Sequence, residues 1–341
     1  MFTYLINLFL RWACGYAECV LANRAQGFLG FIGLAKEVTW GTAVGATDYI
    51  EAFSESLNLS KDRFPLKNMF AVYAEPDDAV GLDRVAGDIV CAGYPRALGW
   101  LLKGVMNSTS GSTVLSGFLY TTRFISTQSE FSATAPSQPF TFEVFRDVTS
   151  SVQYAGCVVQ RLQLALQPNA PLQLTASMIG KSAAVIAKTT QTFVGSPLAP
   201  FTFDTCSVSV GGAGTARMES VRVTVDNMME PIPALNATAT IARIRRRDSQ
   251  SVTIEGTYDF TDITEYNDFV NQTERAMKFT LTKANSFQFV MEMPRVVYTA
   301  FPTPVSGRER LTVAFAGKAR YLTSSNLAVD FSLTDTNSLY V

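Results

Sequence analysis

Histidine is absent from the 341-residue sequence. Imidazole is the usual general base and a common metal ligand near neutral pH, so histidine-based triads, bases and metal sites are excluded. Charge is also scarce, since only 17% of the residues are charged and the formal net charge is −1. That balance argues against a protein that binds nucleic acid by neutralising many phosphates. It does not exclude a surface past which DNA merely slides.

Cysteine is the next scarce residue. The five thiols, Cys14, Cys19, Cys91, Cys157 and Cys206, form an odd number, and no two have the C-x-x-C spacing of redox and metal motifs. A chain of this size can build a core without disulfide staples. We therefore predict reduced thiols in a cytoplasmic setting, with Cys91 and Cys157 as small core residues.

Long hydrophobic runs are lacking as well. The apolar stretch Met1–Leu10 ends at Arg11, whereas a transmembrane helix needs about 20 apolar residues. A secretory signal would begin with a positively charged region, and this stretch has none. Three interpretations of the first 24 residues stay open: a genuine appendage, an atypical signal, or a start codon assigned too early, ahead of Val20 or Leu21. No membrane partner is expected.

The sequence does contain β patterning. In Leu311–Lys318, the apolar residues Leu311, Val313 and Phe315 alternate with small or polar ones. This period of two is typical of a half-buried strand. A second stretch, Leu174–Lys181, has the same length, and it also begins with Leu-Thr and ends with Gly-Lys.

Two further pairs of stretches repeat in the same order. Glu55–Leu59 resembles Glu219–Val223, and Gly87–Asn107 resembles Gln250–Asn271. In the longer pair, a short β run reaches a glycine and a helical pattern follows. The offset within each pair shrinks along the chain, as loop insertions between shared strands would produce. The alternative is that all-β chains often repeat glycine-bounded alternating runs.

The shared order and the matching residues together predict two copies of one unit. A chain of this length has room for two domains. The expected organisation is an N-terminal extension over 1–33, a first β unit over 34–188, a linker over 189–199 and a second β unit over 200–341.

Each unit is predicted to carry one helix. Pro95 suits the first position of a helix, where its missing N–H costs nothing, and Leu98, Leu101, Leu102 and Val105 then share one apolar face. The second helix is predicted to begin with a capping box formed by Asp262 and Glu265. Its apolar face consists of Ile263, Tyr266, Phe269 and Val270. The chain is therefore expected to be all-β with a few short helices, each unit being a β-barrel or sandwich with one covering helix.

The sequence contains no convincing motif of enzymatic chemistry. Gly180-Lys181-Ser182 resembles the end of a phosphate-binding loop, but Thr175 stands where that motif needs glycine, and the stretch ends a strand. The glycine-rich Gly211–Gly214 indicates a hairpin turn. The acidic pair Asp77 and Asp78 is expected to be solvated. We predict no catalytic residue, no metal and no cofactor, and hence no enzyme.

One motif resembles a known family. The opening A-K-E-x-T-W-G-T-A-V, followed by a strand with an aromatic residue and S-E-S-L, is similar to the tail tube proteins of long non-contractile-tailed bacteriophages. The matching residues are Ala35, Lys36, Glu37, Thr39, Trp40, Gly41, Thr42, Ala43, Val44, Phe53, Ser54, Glu55, Ser56 and Leu57. The resemblance extends from about residue 34 onward, and the first 24 residues depart from it.

The resemblance implies a structural virion protein with two tandem tail-tube-like units. In such tails, six β units close a ring, rings stack around a tape-measure protein, and DNA later passes through the lumen. Terminator and tip proteins would be further partners, DNA would be contacted only in passing, and assembly would occur in the host cytoplasm. Because two units share one chain here, we expect a homotrimeric ring with pseudo-sixfold symmetry.

Two oppositely charged segments are expected to take part in contacts between rings. They occupy similar places in the two units, so stacked rings could pair acidic with basic residues. The acidic residues are Glu75, Asp77, Asp78 and Asp83, and the basic ones are Arg243, Arg245, Arg246 and Arg247. An N-terminal arm, Gly33–Ala52, with Lys36, Glu37 and Trp40, is expected to reach the adjacent ring. Two alternatives stay open: independent solvated loops, and arginines that face a DNA channel.

A different functional class also fits an all-β chain. A secreted β-sandwich adhesin or carbohydrate-binding module would predict export, paired cysteines and exposed aromatic platforms. Electron microscopy of the purified protein separates the classes, because only the tail protein would form rings or hollow tubes.

Overall fold

A computed structural model of the protein describes residues 25–340, apart from a set of short gaps. The gaps are 70–72, 76, 117–118, 127–128, 194–198, 236–237, 284–286, 304–307, 309, 325–326 and 338–339. The predicted appendage over the first 24 residues, and much of the predicted linker, therefore lie outside the described residues.

The first half of the chain, as far as it is described, consists of strands around one long helix. Its elements are β1 (Phe31–Lys36), β2 (Asp48–Ile50), β3 (Ala52–Glu55), β4 (Asn58–Pro65), β5 (Asp78–Ala92), α1 (Pro95–Met106), β6 (Asn107–Ser116), β7 (Leu119–Ser126), β8 (Phe140–Phe145), β9 (Ser150–Leu166), β10 (Gln173–Gly180) and β11 (Ser182–Ala187). Strand β1 begins inside the range that was assigned to the N-terminal extension.

The second half has a similar composition. Its elements are β12 (Cys206–Val210), β13 (Ala213–Thr215), β14 (Met218–Asp226), β15 (Met229–Ile232), β16 (Arg243–Arg246), β17 (Ser251–Asp259), α2 (Thr264–Val270), β18 (Arg275–Thr282), β19 (Gln288–Ala300), β20 (Thr312–Ala319) and β21 (Asp330–Asp335). The predicted all-β class with a few short helices is confirmed. The described strands form sandwich-like sheets, and none of those sheets closes into a barrel.

Strand pairing follows one series in each half. In the first half, the order of neighbours is β1, β8, β9, β10, β5, β4, and all contacts are antiparallel. In the second half it is β12, β18, β19, β20, β17, β14, again antiparallel throughout. The helix follows β5 in the first series and β17 in the second, which is the fifth position in both.

The two halves are joined by strand pairing at two places. Strand β14 of the second half pairs with β9 of the first, from Val221 opposite Leu166 to Asp226 opposite Arg161. Strand β21 pairs with β19 of its own half and with β7 of the first half. A continuous hydrogen-bonded sheet therefore crosses from one half of the chain to the other.

Helix α1 packs its predicted apolar face onto the sheet. Leu98, Leu101, Leu102 and Val105 are all buried, and Pro95 stands at the helix start as predicted. The helix contacts β9, β21, β6 and β7, so it covers one face of the joined sheet. Burial of these leucine side chains stabilises the fold by about 2 kcal/mol each.

Two of the five thiols lie in the core as predicted, and Cys14 and Cys19 lie outside the described residues. Cys91 and Cys157 are fully buried, and both are free, as is Cys206. Burial raises the pKa of the Cys91 thiol to about 12. These two cysteines therefore act as small core residues.

Helix α2 is short and differs from its prediction. The Asp262 carboxylate accepts a hydrogen bond from the Thr264 backbone N–H at 2.8 Å. Glu265 does not complete a capping box, because its carboxylate binds Arg217 instead. Of the four residues of the predicted apolar face, Tyr266 and Phe269 are packed against the core. The other two, Ile263 and Val270, are exposed.

Candidate assembly interface

The segment after β1 is held by a buried carboxylate. Glu37 is only 1% exposed. Its carboxylate accepts hydrogen bonds from the Thr141 hydroxyl and from the backbone N–H groups of Gly41 and Gly156, each at 2.7 Å. A buried carboxylate with three donors is well satisfied. Glu37 therefore ties its own segment to β8 and β9.

Trp40 makes a second anchor in the same segment. Its indole Nε1 donates to the Gly156 carbonyl at 2.9 Å, and the Lys181 ammonium lies 4.7 Å from the ring centroid. Gly41 and Gly156 both have positive φ, which glycine adopts without steric cost. The motif around Trp40 and Gly41 thus has a structural basis in an internal contact.

The residues of the N-terminal arm that were expected to contact another ring are consequently not equivalent. Glu37 and Trp40 are buried within the chain, so they set the shape of the segment. Lys36 is half-buried, its ammonium lies 5.9 Å from the Trp100 ring centroid, and desolvation lowers its pKa. Val38 is 89% exposed, and its neighbour Thr39 is exposed as well.

The acidic segment is part strand rather than a loop. Asp78 opens β5, and Asp83 lies inside that strand. The Asp83 carboxylate pairs with the Lys61 ammonium of β4 at 3.1 Å. Glu75, Asp77 and Asp78 are exposed. Three of the four predicted acids are therefore available to a partner at the end of the β4–β5 hairpin.

The basic segment is likewise a strand, β16, which pairs with β15. Arg245 binds the Glu130 carboxylate at 2.5 Å. Arg246 donates to the Asn227 side-chain oxygen at 3.2 Å, and desolvation lowers its pKa. Arg243 and Arg247 are exposed. The four arginines thus divide into two that bind within the chain and two that face solvent.

The acidic and basic segments meet within one protomer, which the sequence did not indicate. The Asp83 backbone N–H donates to the Ala239 carbonyl at 2.7 Å, and Asp83 forms a parallel bridge with Thr240. The chain then enters β16 three residues later. The exposed arginines accordingly follow the stretch that meets β5 at Asp83, and the exposed acids lie toward the tip of the β4–β5 hairpin.

The β4–β5 hairpin, including its connection, also carries exposed apolar side chains. We call residues 58–86 the hairpin arm, as distinct from the N-terminal arm. Its exposed large apolar residues are Phe64, Leu66, Met69, Tyr73 and Val80. Exposed apolar groups concentrated on one projecting element are typical of a protein–protein contact. The sequence places these residues in a strand and its turn. An alternating pattern alone does not show that these apolar side chains are exposed.

A second apolar surface surrounds the first described residues. A concavity of about 640 Å³ there has five phenylalanines in its lining, together with the charged residues Glu51, Glu55 and Arg146. The phenylalanines are Phe28, Phe31, Phe53, Phe145 and Phe193. Phe28 and Phe53 are exposed on its rim. This surface has no counterpart among the sequence predictions.

Comparison with known families decides between the functional classes. The family described as "Phage tail tube protein" matches residues 27–319. The chain belongs to the phage tail tube protein family. A search of curated proteins found no match. Membership makes this tail tube protein a structural component of the virion tail that associates with itself and with other tail proteins. It favours that class over a secreted adhesin.

The described part of this tail tube protein shows no site for metal chemistry. No group of three or more Cys, Asp or Glu side chains is placed to hold a metal ion within the described ranges. Among the helices in those ranges, none is long and apolar enough to cross a membrane.

Proposed function

We propose that this protein assembles into stacked rings that form the hollow tail tube, and that DNA passes through its lumen. Each ring contains three chains with pseudo-sixfold symmetry. One observation carries this proposal: the two halves of the chain repeat one series of six paired strands with the helix at the same place.

The repeated series agrees with the repeated sequence. The matched stretches Leu174–Lys181 and Leu311–Lys318 lie on β10 and β20, which hold the fourth position of their series. The matched stretches Glu55–Leu59 and Glu219–Val223 lie where the sixth strand begins. The repeated sequence and the repeated pairing fall on the same strands, and this agreement supports two copies of one unit.

The joint inside the chain suggests how chains join. In the second unit, the outer edge of β14 is occupied by β9 of the first unit. In the first unit, β4 holds the position of β14, and β5 is its only partner strand among the described residues. An unpaired edge readily accepts another strand. A second copy therefore supplies the missing neighbour, and three copies close the ring.

Contacts between rings use the hairpin arm and the segment that follows β1. The hairpin arm presents apolar side chains together with the acids Glu75, Asp77 and Asp78. Arg243 and Arg247 follow the stretch that meets β5 at Asp83. Apolar area supplies most of the association energy, while opposite charges set the orientation of one ring on the next. A tape-measure protein fills the lumen during assembly, terminator and tip proteins cap the ends, and assembly takes place in the host cytoplasm.

Cryo-electron microscopy of the purified, concentrated protein tests this proposal. Hollow tubes with three chains per ring, and two superposable units in each chain, are expected. Six chains per ring would contradict the pseudo-sixfold arrangement while leaving the tube intact. A protein that stays monomeric, both alone and with added tail tips as initiators, would contradict the tube itself.

A further inference from the structure

The segment that leads into β12, residues 199–205, fastens the second half of the chain to the first. Within this β12 lead-in, Phe201 is fully buried. Its backbone N–H donates to the Gly93 carbonyl at 3.0 Å, and its carbonyl accepts a hydrogen bond from the Leu172 N–H at 2.8 Å. One extended segment thereby satisfies two backbone groups of the first half.

This contact lies at the end of one strand ladder, which we call the first ladder end. Gly93 follows β5, Leu172 precedes β10, and the Gly93 N–H donates to the Leu172 carbonyl at 2.6 Å. The second series of strands has a corresponding place, the second ladder end. Phe260 follows β17, Leu311 precedes β20, and the Phe260 N–H donates to the Leu311 carbonyl at 3.0 Å. The fourth and fifth strands of both series therefore end in the same hydrogen bond.

The two ladder ends differ in what covers them. At the first, Gly93 and Leu172 are buried. At the second, Phe260 and Leu311 are only half-buried, and the nearby Ile263 is 57% exposed. Within the described ranges, no backbone group donates to the Phe260 carbonyl or accepts from the Leu311 N–H. A donor and an acceptor left open at the end of a sheet can pair with an extended segment.

A second copy of the chain carries a suitable segment ahead of β1. Strands β1 and β12 each begin their series, and each follows a single turn of 3-10 helix, Gly27–Leu29 and Phe203–Thr205 respectively. Residues 25–29, the β1 lead-in, are all exposed, with Phe28 at 81% and Leu29 at 48%. Exposed apolar side chains concentrated on one short segment are typical of a contact with another protein.

We infer that the β1 lead-in, residues 25–29, docks onto the second ladder end of another copy in the same ring. Its backbone donates to the Phe260 carbonyl and accepts from the Leu311 N–H, as Phe201 does at the first ladder end within the chain. Its two apolar side chains cover apolar surface there. The inference rests on the proposed ring, in which the relation between the two units of one chain is repeated between chains.

Paired cysteines test this contact, and the first ladder end supplies the positive control. Thr202 of the β12 lead-in forms an antiparallel bridge with Pro171, and residues opposed in this way are close enough for a disulfide. Thr202→Cys with Pro171→Cys should therefore link within the chain. The background for all variants keeps the two buried thiols and replaces with Ser the other three, Cys14, Cys19 and Cys206.

The test variant, Gly27→Cys with Arg310→Cys, uses the corresponding positions of the second contact. Gly27 stands as far ahead of β1 as Thr202 stands ahead of β12, and Arg310 precedes the second ladder end as Pro171 precedes the first. A side chain at position 27 has open space around it, and Arg310 is exposed. The matched control pairs Gly27→Cys with Val185→Cys, on an exposed position of β11. Assembled tubes are oxidised and their chains are separated without reductant.

The expected products of the test variant are covalent dimers and trimers with nothing larger, because the contact closes within one ring of three chains. The control with the thiol at position 185 should stay monomeric. Co-assembly of the two single variants, Gly27→Cys and Arg310→Cys, should stop at dimers, and this mixture gives the readout if the double variant does not assemble.

Three results would contradict the inference. If intact tubes give no intermolecular product while the positive control links, the docking is wrong and the tube proposal stands. A ladder that continues beyond the trimer would place the lead-in on an adjacent ring or in a larger one, and would overturn the docking as well. A wild-type protein that forms no tubes would overturn the proposed function together with the inference.

Removal of an apolar side chain from the β1 lead-in gives a second test. Phe28→Ser should raise the protein concentration needed for tube formation roughly tenfold, because a buried apolar contact between chains is lost. The unfolding midpoint of the monomer should not change, since Phe28 is exposed within the chain. Val185→Ser is the matched control and should assemble like the wild type. Assembly of Phe28→Ser at the wild-type concentration would overturn the inference.

Discussion

The ring of Tyr340 occupies the space in which a side chain on Gly99 would lie. Tyr340 is fully buried, and its ring packs edge-on against Trp100 with 5.3 Å between the ring centroids. Its hydroxyl donates to the Asp335 carboxylate at 2.7 Å. The end of the second half is thereby seated against the helix of the first half. A glycine in the middle of a helix is unfavourable by itself, so its place here is explained by this contact.

We expect Gly99→Ala to destabilise the protein. Alanine favours a helix by about 1 kcal/mol over glycine. The added methyl group meets an aromatic ring that is enclosed on all sides, and such overpacking costs roughly 1–3 kcal/mol. Denaturant unfolding should show a net loss of stability. In a Tyr340→Ala background, which itself costs about 3–5 kcal/mol, the same change should become neutral or favourable. Additive effects in this double-mutant cycle would contradict the contact.

Asp335 should make the stability depend on pH. Burial is the main cause that raises its pKa to about 7, while hydrogen bonds from Tyr340 and Asn337 and the charge of Arg96 oppose the shift and Asp48 adds to it. A carboxyl with a raised pKa in the folded state gives stability at low pH, and this stability is lost as pH rises toward 7. The loss from this group is on the order of 2–4 kcal/mol.

The control for this pH effect is Asp335→Asn. The amide keeps the shape of the side chain but does not titrate. The free energy of unfolding of the variant should therefore fall less between pH 4 and pH 8 than that of the wild type. Unfolding curves across this range, for wild type and variant, give the comparison. Parallel pH profiles for the two proteins would show that Asp335 is ionised in the folded state.

Replacement of Glu37 should loosen the segment after β1. Glu37→Ala removes the acceptor of three buried donors, and we expect a loss of about 2–4 kcal/mol. Val38→Ala, at the exposed neighbouring position, should change stability by less than about 0.5 kcal/mol. Denaturant midpoints measure both. An Ala substitution at position 37 as mild as the one at position 38 would show that the carboxylate is not an anchor.

Charge reversal of Arg243 and Arg247 should weaken assembly without affecting the fold. Both side chains are exposed. Reversing Arg246 as well would disturb its bond to Asn227, so that residue is left unchanged. The double Glu variant should keep the wild-type melting temperature and need roughly tenfold more protein to form tubes, or about 1.4 kcal/mol. Asp77→Lys with Asp78→Lys in the same chain should restore part of the loss. Normal assembly by the double Glu variant would contradict an electrostatic contact at these arginines.

Local features were predictable because their causes are local. The period of two in Leu311–Val313–Phe315 and the period of 3.6 in α1 are set by neighbours in sequence. The role of Glu37 was not predictable, because its donor at Gly156 lies far along the chain. The same holds for Asp83 and Ala239, whose contact brings the charged segments together. Helix α2 was predicted correctly, but its capping box was wrong for a related reason, since Arg217 binds the Glu265 carboxylate that the box needed.

The β9–β14 joint has a consequence for the speed of assembly. A seam between units that lies within one polypeptide closes during folding, at an effective concentration fixed by the tether, and does not depend on how much protein the cell has made. In the proposed ring of three two-unit chains, half of the seams would already be complete when a chain arrives. Only the remaining half would require a collision, so growth of the tail at low protein levels would be limited by three captures per layer instead of six.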